Sequence, residues 1–263
     1  MRLNLFFLFL VITVMLMGCT SKDKVDNSLE EIKKKGEFVV GLDDSFPPMG
    51  FKDENGEIVG FDIDLAKEVA KRMGVNVKFK AVDWDGVLLS LKNKNIDVIW
   101  NGLTITEKRK KEIAFSKVYL ENRQIIVVNN NSSIKRKEDI IGKIVGVQLG
   151  SSSENALNSS EISKELKEIK KYSNNTEALM DLKAGRIDAV ILDEIVGRYY
   201  MEKKPGVYRI LEDDFGKESY GVGIRKEDVK LKDELNKILD EMKKDGTAKN
   251  ISEKWFGEDI VTR

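Results

Sequence analysis

The chain contains no histidine, and its single cysteine, Cys19, lies near the start. Without imidazole there is no Ser-His or Cys-His nucleophilic pair and no metal site that uses imidazole. Hydrolase chemistry is therefore set aside, and the residues left to do chemistry are charges, hydroxyls and aromatic rings suited to binding. Arg109 is the best-placed cation: its planar fork can hold a carboxylate through two parallel bonds, each charged hydrogen bond being worth about 1.5–3 kcal/mol. From composition alone it also reads as one solvated charge in the run Lys108-Arg109-Lys110-Lys111. Thr104 and the backbone around Gly102 precede the helix that carries Arg109 and can offer a hydroxyl and polar groups to the same ligand end; Thr104 reads equally as a helix cap. Ser151 and Ser152 follow Gly150 at a helix start, where unpaired N–H groups favour an anion. Asp193 closes the apolar stretch Ile187 to Leu192 and opens the next helix. It stands either at the carboxyl end of a parallel strand, where ligands of such sheets bind, or as an N-cap, and the two roles are compatible. Trp84 and Trp100 are either walls of a site or core residues.

These residues need elements to hold them. Glu37 to Leu42 reads as a buried strand, and Asp62 to Met73 as a helix with Ile63, Ala66, Val69, Ala70 and Met73 on one face, stopped by Gly74. Val75, Val77, Phe79 and Ala81 alternate with Asn76, Lys78 and Lys80, the pattern of a half-buried strand. Val87, Leu88 and Leu91 mark a short helix, and Ile96 to Trp100 a further strand. Strand and helix in turn predict an α/β fold with mostly parallel sheets. The spelling Leu91-Lys92-x-x-x-Ile96-Asp97-Val98-Ile99 returns as Leu182-Lys183-x-x-x-Ile187-Asp188-Ala189-Val190, which predicts two lobes of similar build. Asn122 to Asn129 and Lys217 to Ile224 are extended and lie between these blocks, as strands crossing from one lobe to the other would. Glu227 to Lys244 forms an amphipathic helix with Val229, Leu235, Ile238, Leu239 and Met242 inward, and a last short helix carries Ala248, Ile251 and Trp255.

The first residues carry a different message. Arg2, an almost unbroken apolar run from Leu5 to Met17, then Gly18-Cys19 and a polar stretch have the layout of an export signal, and the run is too short to span a bilayer. Leu16-Met17-Gly18-Cys19 resembles a bacterial lipobox, which implies that Cys19 becomes the lipidated first residue of the mature chain. Residues 20–28 suit a flexible tether. The folded part then has no thiol or disulfide and must be stabilised by its core. Lys+Arg and Asp+Glu number 45 each; loss of the signal removes Arg2 and no acid. A balance so close to zero argues against a nucleic-acid partner.

Three segments, Gly60-Phe61-Asp62-Ile63-Asp64-Leu65-Ala66, Asn101 through Arg109 (NGLTITEKR) and Gly146-Val147-Gln148-Leu149-Gly150-Ser151-Ser152, resemble the signatures of polar amino-acid solute-binding proteins of bacterial ABC importers, and the similarity extends in order over nearly all of the mature chain. The resemblance implies a two-lobed periplasmic-binding-protein-like (type II) α/β fold. Its parts would be a lipoprotein signal peptide over 1–18, a flexible tether over 19–28, lobe 1 over 29–124 and 218–263, and lobe 2 over 125–217. It further implies that Arg109, with Thr104, Gly102 and Ser152, holds the α-carboxylate of a free amino acid, that Asp193 receives its α-ammonium, and that Asp43, Phe46, Trp84 and Asn101 surround its side chain. Asp43 favours a basic or amide-bearing ligand, and a roomy aromatic pocket with Asn101 would also admit cystine. A lipid-anchored monomer on the outer face of the cytoplasmic membrane, working without cofactor or metal and handing its cargo to a membrane permease, is the expected whole.

Two rivals are distinct in class. Cyclohexadienyl dehydratases resemble this family, and an elimination enzyme of that kind would here have to use a carboxylate such as Asp43, Glu154 or Asp193. A ligand-sensing module predicts an attached transmembrane or kinase segment, which is not expected here.

Overall fold

The computed structural model describes residues 26–262. The expected signal segment, Cys19 and residues 20–25 of the expected tether lie outside the described residues. Helix α1 (Ser28–Lys35) begins at the last residue of the expected tether. Ser28 Oγ accepts the N–H of Leu231 at 3.3 Å and Asp26 Oδ2 that of Lys230 at 2.6 Å, so these residues satisfy the open N–H groups of a later helix. Among the described residues no helix is long and apolar enough to cross a membrane.

The alternating pattern forms two five-stranded sheets and a small three-stranded one. Strand β1 (Glu37–Leu42) is followed by the short β2 (Ser45–Phe46), β3 (Gly50–Lys52) and β4 (Ile58–Val59), then by helix α2 (Phe61–Met73), β5 (Asn76–Ala81), α3 (Val87–Lys92), β6 (Val98–Ile99), α4 (Glu107–Lys110) and β7 (Ala114–Phe115). Strand β8 (Leu120–Asn129) leads into β9 (Ile144–Gln148), α5 (Ser152–Asn158), β10 (Glu168–Tyr172), α6 (Asn175–Lys183), β11 (Ala189–Asp193) and α7 (Glu194–Lys203). The chain returns through β12 (Tyr208–Tyr220) to β13 (Gly223–Ile224), and ends with α8 (Val229–Lys244) and α9 (Thr247–Phe256).

The first sheet runs β5-β1-β6-β13-β7 and the second β10-β9-β11-β8-β12. In each, the first three strands are parallel and the last two pair antiparallel. The likeness descends to single atoms. Asp97 exchanges two bonds with Val39, its carboxylate accepting the Val39 N–H at 2.8 Å and its N–H reaching the Val39 carbonyl at 2.8 Å. Asp188 does the same with Ile144, at 2.8 and 2.9 Å. In both copies the preceding isoleucine covers a glycine of the neighbouring strand. A Cβ on Gly41 would overlap Ile96, and one on Gly146 would stand 2.7 Å from Ile187 Cδ1. The repeated Ile-Asp thus docks a strand beside its neighbour, one residue by packing and the other by hydrogen bonds.

Some elements differ from their sequence pattern. Only Val98 and Ile99 of the stretch Ile96 to Trp100 are strand, since Ile96 packs under Gly41 before the pairing starts. Strand β5 is an edge, which leaves Ala81 exposed. Val229, in the first turn of α8, is 46% exposed, and Leu231 occupies the buried stripe instead, with Leu235, Ile238, Leu239 and Met242. Burying such a side chain is worth about 1.5–3 kcal/mol, and the stripe is what fastens α8 to the first half.

The two crossing segments pair with each other. Leu120 to Arg123 lie opposite Tyr220 to Lys217 in antiparallel register, and β12 is irregular between Ile210 and Lys217, where Gly216 adopts φ +109°. Isolated bridges from Thr104 to Tyr220 and from Leu120 to Val261 tie the near end of this ribbon to the first half.

Candidate functional site

The loop after β6 turns through Gly102 at φ +57°, a left-handed conformation in which its N–H donates to the buried Asp62 at 2.7 Å. A side chain there would also strike Phe46 Cε1 at 2.9 Å and Tyr220 Cε2 at 3.1 Å, so only glycine lets these rings close over the backbone. Helix α4 follows, and its cap is Thr106, whose hydroxyl accepts the Arg109 N–H at 3.1 Å. Thr104 is therefore not the cap, and its Oγ1 lies 2.9 Å from Ser152 Oγ and 2.9 Å from Glu218 Oε1.

Arg109 is buried while Lys108, Lys110 and Lys111 are exposed, which removes the solvated-run alternative. Its Nη1 donates to the Thr104 carbonyl at 2.9 Å, its Nη2 to the Gly150 carbonyl at 3.3 Å, and its Cζ stands 5.9 Å from the Trp84 ring centroid. The guanidinium thereby touches both halves of the molecule. Burial lowers its pKa, opposed by the nearby Glu218, Asp193 and Tyr220, yet no carboxylate forms an ion pair with it among the described residues.

From the second half, Gly150 at φ +74° brings its backbone against Asp85, where a Cβ would lie 2.9 Å from the Asp85 Cα. Ser151 is the cap of α5: its hydroxyl accepts the Glu154 N–H at 3.1 Å and donates to the Gln148 carbonyl at 2.7 Å. Ser151 was expected at the ligand, and both its hydroxyl functions are taken by the helix start. Ser152 points to Thr104 and to Gln124 Nε2.

Asp193 stands at the N-cap position of α7 but caps nothing; its side chain turns into the seam between the halves and is 4% exposed. Its Oδ1 accepts from Asn122 Nδ2 at 2.8 Å, Gln124 Nε2 at 2.8 Å and the Tyr220 hydroxyl at 2.6 Å. Asn122, Gln124, Glu218 and Tyr220 escaped the sequence reading. Their signal is a period of two: Asn122 and Gln124 on a central strand, Glu218 and Tyr220 on its neighbour, each pair two residues apart and so on one face of its strand.

At the opposite end of the seam, Asp43 is buried, and its Oδ2 accepts from Gln148 Nε2 of the second half at 2.7 Å while Oδ1 accepts the Ser45 N–H. Burial pushes the Asp43 carboxyl up. Asn101 braces this loop, its Oδ1 accepting the Asp43 N–H at 3.1 Å. Phe46 packs on Gly102, and Trp84 faces Arg109. Trp100 is core, fully buried and edge-on to Tyr119 with ring centroids 6.2 Å apart. Two cavities flank the seam. One of about 210 Å³ is lined by Leu88 and Arg109 on one side and Gly150 to Ser152 on the other. One of about 510 Å³ is lined by Asp43, Asp44, Asp83 and Trp84 facing Ser173 and Asn174.

The arrangement is thus a narrow polar seam with a cation, a group of acids and hydroxyls from both halves, suited to a small zwitterion. The sequence model of the bacterial extracellular solute-binding proteins, family 3, matches residues 38–258. The L-cystine-binding protein TcyJ of Escherichia coli (strain K12) is 34% identical over 247 residues, which cover 93% of this chain and 92% of that protein. The arginine-binding extracellular protein ArtP of Bacillus subtilis (strain 168) is 34% identical over 253 residues, 93% of this chain and 94% of that one. Among solved structures, an ABC uptake transporter substrate-binding protein from Streptococcus pneumoniae with bound histidine superposes with a TM-score of 0.87 at 36% identity, covering 91% of this chain and 99% of that one. An ancestral amino-acid-binding protein, a precursor of cyclohexadienyl dehydratase, superposes with a TM-score of 0.81 at 40% identity, covering 87% and 99%.

Proposed function

This chain belongs to the bacterial extracellular solute-binding proteins, family 3, and from that premise we propose that it captures a free polar amino acid between its two halves and delivers it to a membrane permease of an ABC importer. One observation carries the reading: Arg109 and Asp193 are buried at the same seam, carry opposite charges, and pair neither with each other nor with any other ion among the described residues. Unpaired buried charges are costly. A zwitterion supplies both missing partners at once, its α-carboxylate to the Arg109 fork and its α-ammonium to Asp193. Thr104 and Ser152 serve the carboxylate end; Gly102, expected there as well, gives its only N–H to Asp62 and contributes the turn instead.

The side chain of the ligand lies toward Asp43, with Phe46, Trp84 and Asn101 around it. A buried acid there, beside a cavity that Asp44 and Asp83 also line, suits a basic or amide-bearing amino acid; cystine, which the relative TcyJ binds, has the same need for polar partners at both ends.

The division into lobe 1 (29–124 and 218–263) and lobe 2 (125–217) belongs to this reading. The ribbon of β8 and β12 is its hinge, and a ligand that touches both lobes favours the closed form by its difference in affinity for the two. Lipid on Cys19 holds the monomer at the outer face of the membrane. The chain is a binder and no enzyme: incubation with prephenate or arogenate should give no product. A thermal-shift panel of the free amino acids plus cystine tests the function. At one hundred times its dissociation constant the right ligand adds about 2.7 kcal/mol, a clear rise in melting temperature, and a panel in which none raises it would refute the proposal.

A further inference from the structure

Asp193 does not stand alone in its part of the seam. Glu218 Oε1 accepts from Asn122 Nδ2 at 2.6 Å and from Gln124 Nε2 at 2.7 Å, the same two amide nitrogens that Asp193 Oδ1 accepts from at 2.8 Å. Two carboxylates thus converge on one pair of neutral donors. The groups facing them complete the account: the Tyr220 hydroxyl donates to Asp193 at 2.6 Å, the Thr104 hydroxyl lies 2.9 Å from Glu218, and Arg109 on α4 directs its guanidinium hydrogens to two backbone carbonyls. Glu194, next in sequence to Asp193, is held away by Arg123 through bonds of 2.6 and 2.9 Å and by Arg198. No lysine or arginine forms an ion pair with either Asp193 or Glu218 among the described residues.

Like charges joined through two shared amide nitrogens in such a site cannot both be ionised without a cation between them. Resting on the amino-acid reading above, we propose that Glu218 is a second carboxylate of the ammonium site, and that the pair holds one shared proton which leaves when the ligand's α-ammonium takes its place. The exchange balances: the free pair carries one negative charge and one proton, the loaded pair two negative charges facing the ammonium, and the proton goes to solvent. In keeping with this, burial and the neighbouring Glu218 push Asp193 well above the usual carboxylate range, and burial with the two acids pushes the Tyr220 phenol up. The proton gives the site a property that Asp193 alone would lack. Affinity rises with pH, by up to tenfold per unit, over the range in which the free pair is protonated.

The test is titration calorimetry of the full protein at pH 6 in buffers of different ionisation enthalpy, with L-arginine, L-glutamine and L-cystine as probes. The slope of observed against buffer enthalpy should show release of close to one proton per ligand bound. Glu218→Gln should bind with lower affinity and release almost none, whereas Glu194→Gln, which alters the neighbouring acid that Arg123 and Arg198 hold away from the pair, should still release it. Binding without proton release in the unaltered protein, or undiminished release from Glu218→Gln, would overturn the inference and leave the amino-acid reading standing. If the glutamine variant does not fold, the unaltered protein decides alone through the same slope and through an affinity that rises, or fails to rise, between pH 5.5 and 8. Failure of all three probes to bind would remove the amino-acid reading and this inference with it.

Discussion

Replacing Arg109 by alanine should weaken amino-acid binding by about 3–5 kcal/mol. The figure is built from the fork: two charge-assisted hydrogen bonds to the α-carboxylate, at about 1.5–3 kcal/mol each, less the part returned because the buried guanidinium no longer has to be desolvated. The variant also leaves the ligand carboxylate in a seam that holds Asp43, Asp193 and Glu218 with no cation to balance it, and it frees the Thr104 and Gly150 carbonyls that the guanidinium now joins. By calorimetry the dissociation constant should rise about 150- to 5,000-fold. Arg109→Lys keeps the charge without the planar fork and should fall between the two. The folded structure should persist in both variants, which circular dichroism can check. A dissociation constant within threefold of the original in Arg109→Ala would show that the carboxylate is held elsewhere and refute the reasoning.

Three other outcomes follow from residues away from that contact. Burial pushes Asp62 up to about 7, against the pull of the Gly102 N–H and the Tyr119 hydroxyl. Such an acid binds its proton more tightly folded than unfolded, so its contribution to stability is present at low pH and is lost as pH rises through 7. Between pH 8 and pH 5.5 the native protein should gain about 2 kcal/mol relative to Asp62→Asn in urea titrations, and parallel profiles would speak against it. Gly146→Ala should destabilise by about 1–3 kcal/mol through overlap with Ile187, and Ile187→Val, which removes the offending Cδ1, should restore much of this; equal losses in single and double variants would deny the packing argument. Cys19→Ser should release the protein from membranes in cell fractionation while calorimetric ligand binding persists, and retention at the membrane would deny the lipid anchor.

The fold was legible wherever a residue's neighbours in sequence decide its place. The 3.6-residue stripe of Asp62 to Met73, the buried run Glu37 to Leu42 and the repeated Ile-Asp each announce local structure, and the repeat also announces that two sheets share one pattern. What stayed hidden depends on partners distant in sequence. Val229 looks as apolar as Leu231, and only the start of α8, fixed by Asp26 and Ser28, decides which faces inward. Asn122, Gln124, Glu218 and Tyr220 are ordinary polar residues on two crossing strands, and their meaning comes from a register that sets Asn122 opposite Glu218 and Leu120 opposite Tyr220. Ser151 and Ser152 are indistinguishable in sequence, yet the helix start claims one hydroxyl and leaves the other facing the first half.

The central claim is that a free amino acid is gripped by both of its α-groups, one by each sign of charge in the seam. The most direct test takes the amino acid that binds best in the panel and compares it by calorimetry with its α-methyl ester and with its decarboxylated amine. Both derivatives keep the side chain and the ammonium but deny the carboxylate to Arg109, and the N-acetylated amino acid makes the complementary loss at Asp193 and Glu218. Each derivative should bind at least about 100-fold more weakly than the parent. Derivatives that bind within a few-fold of the parent would contradict the account.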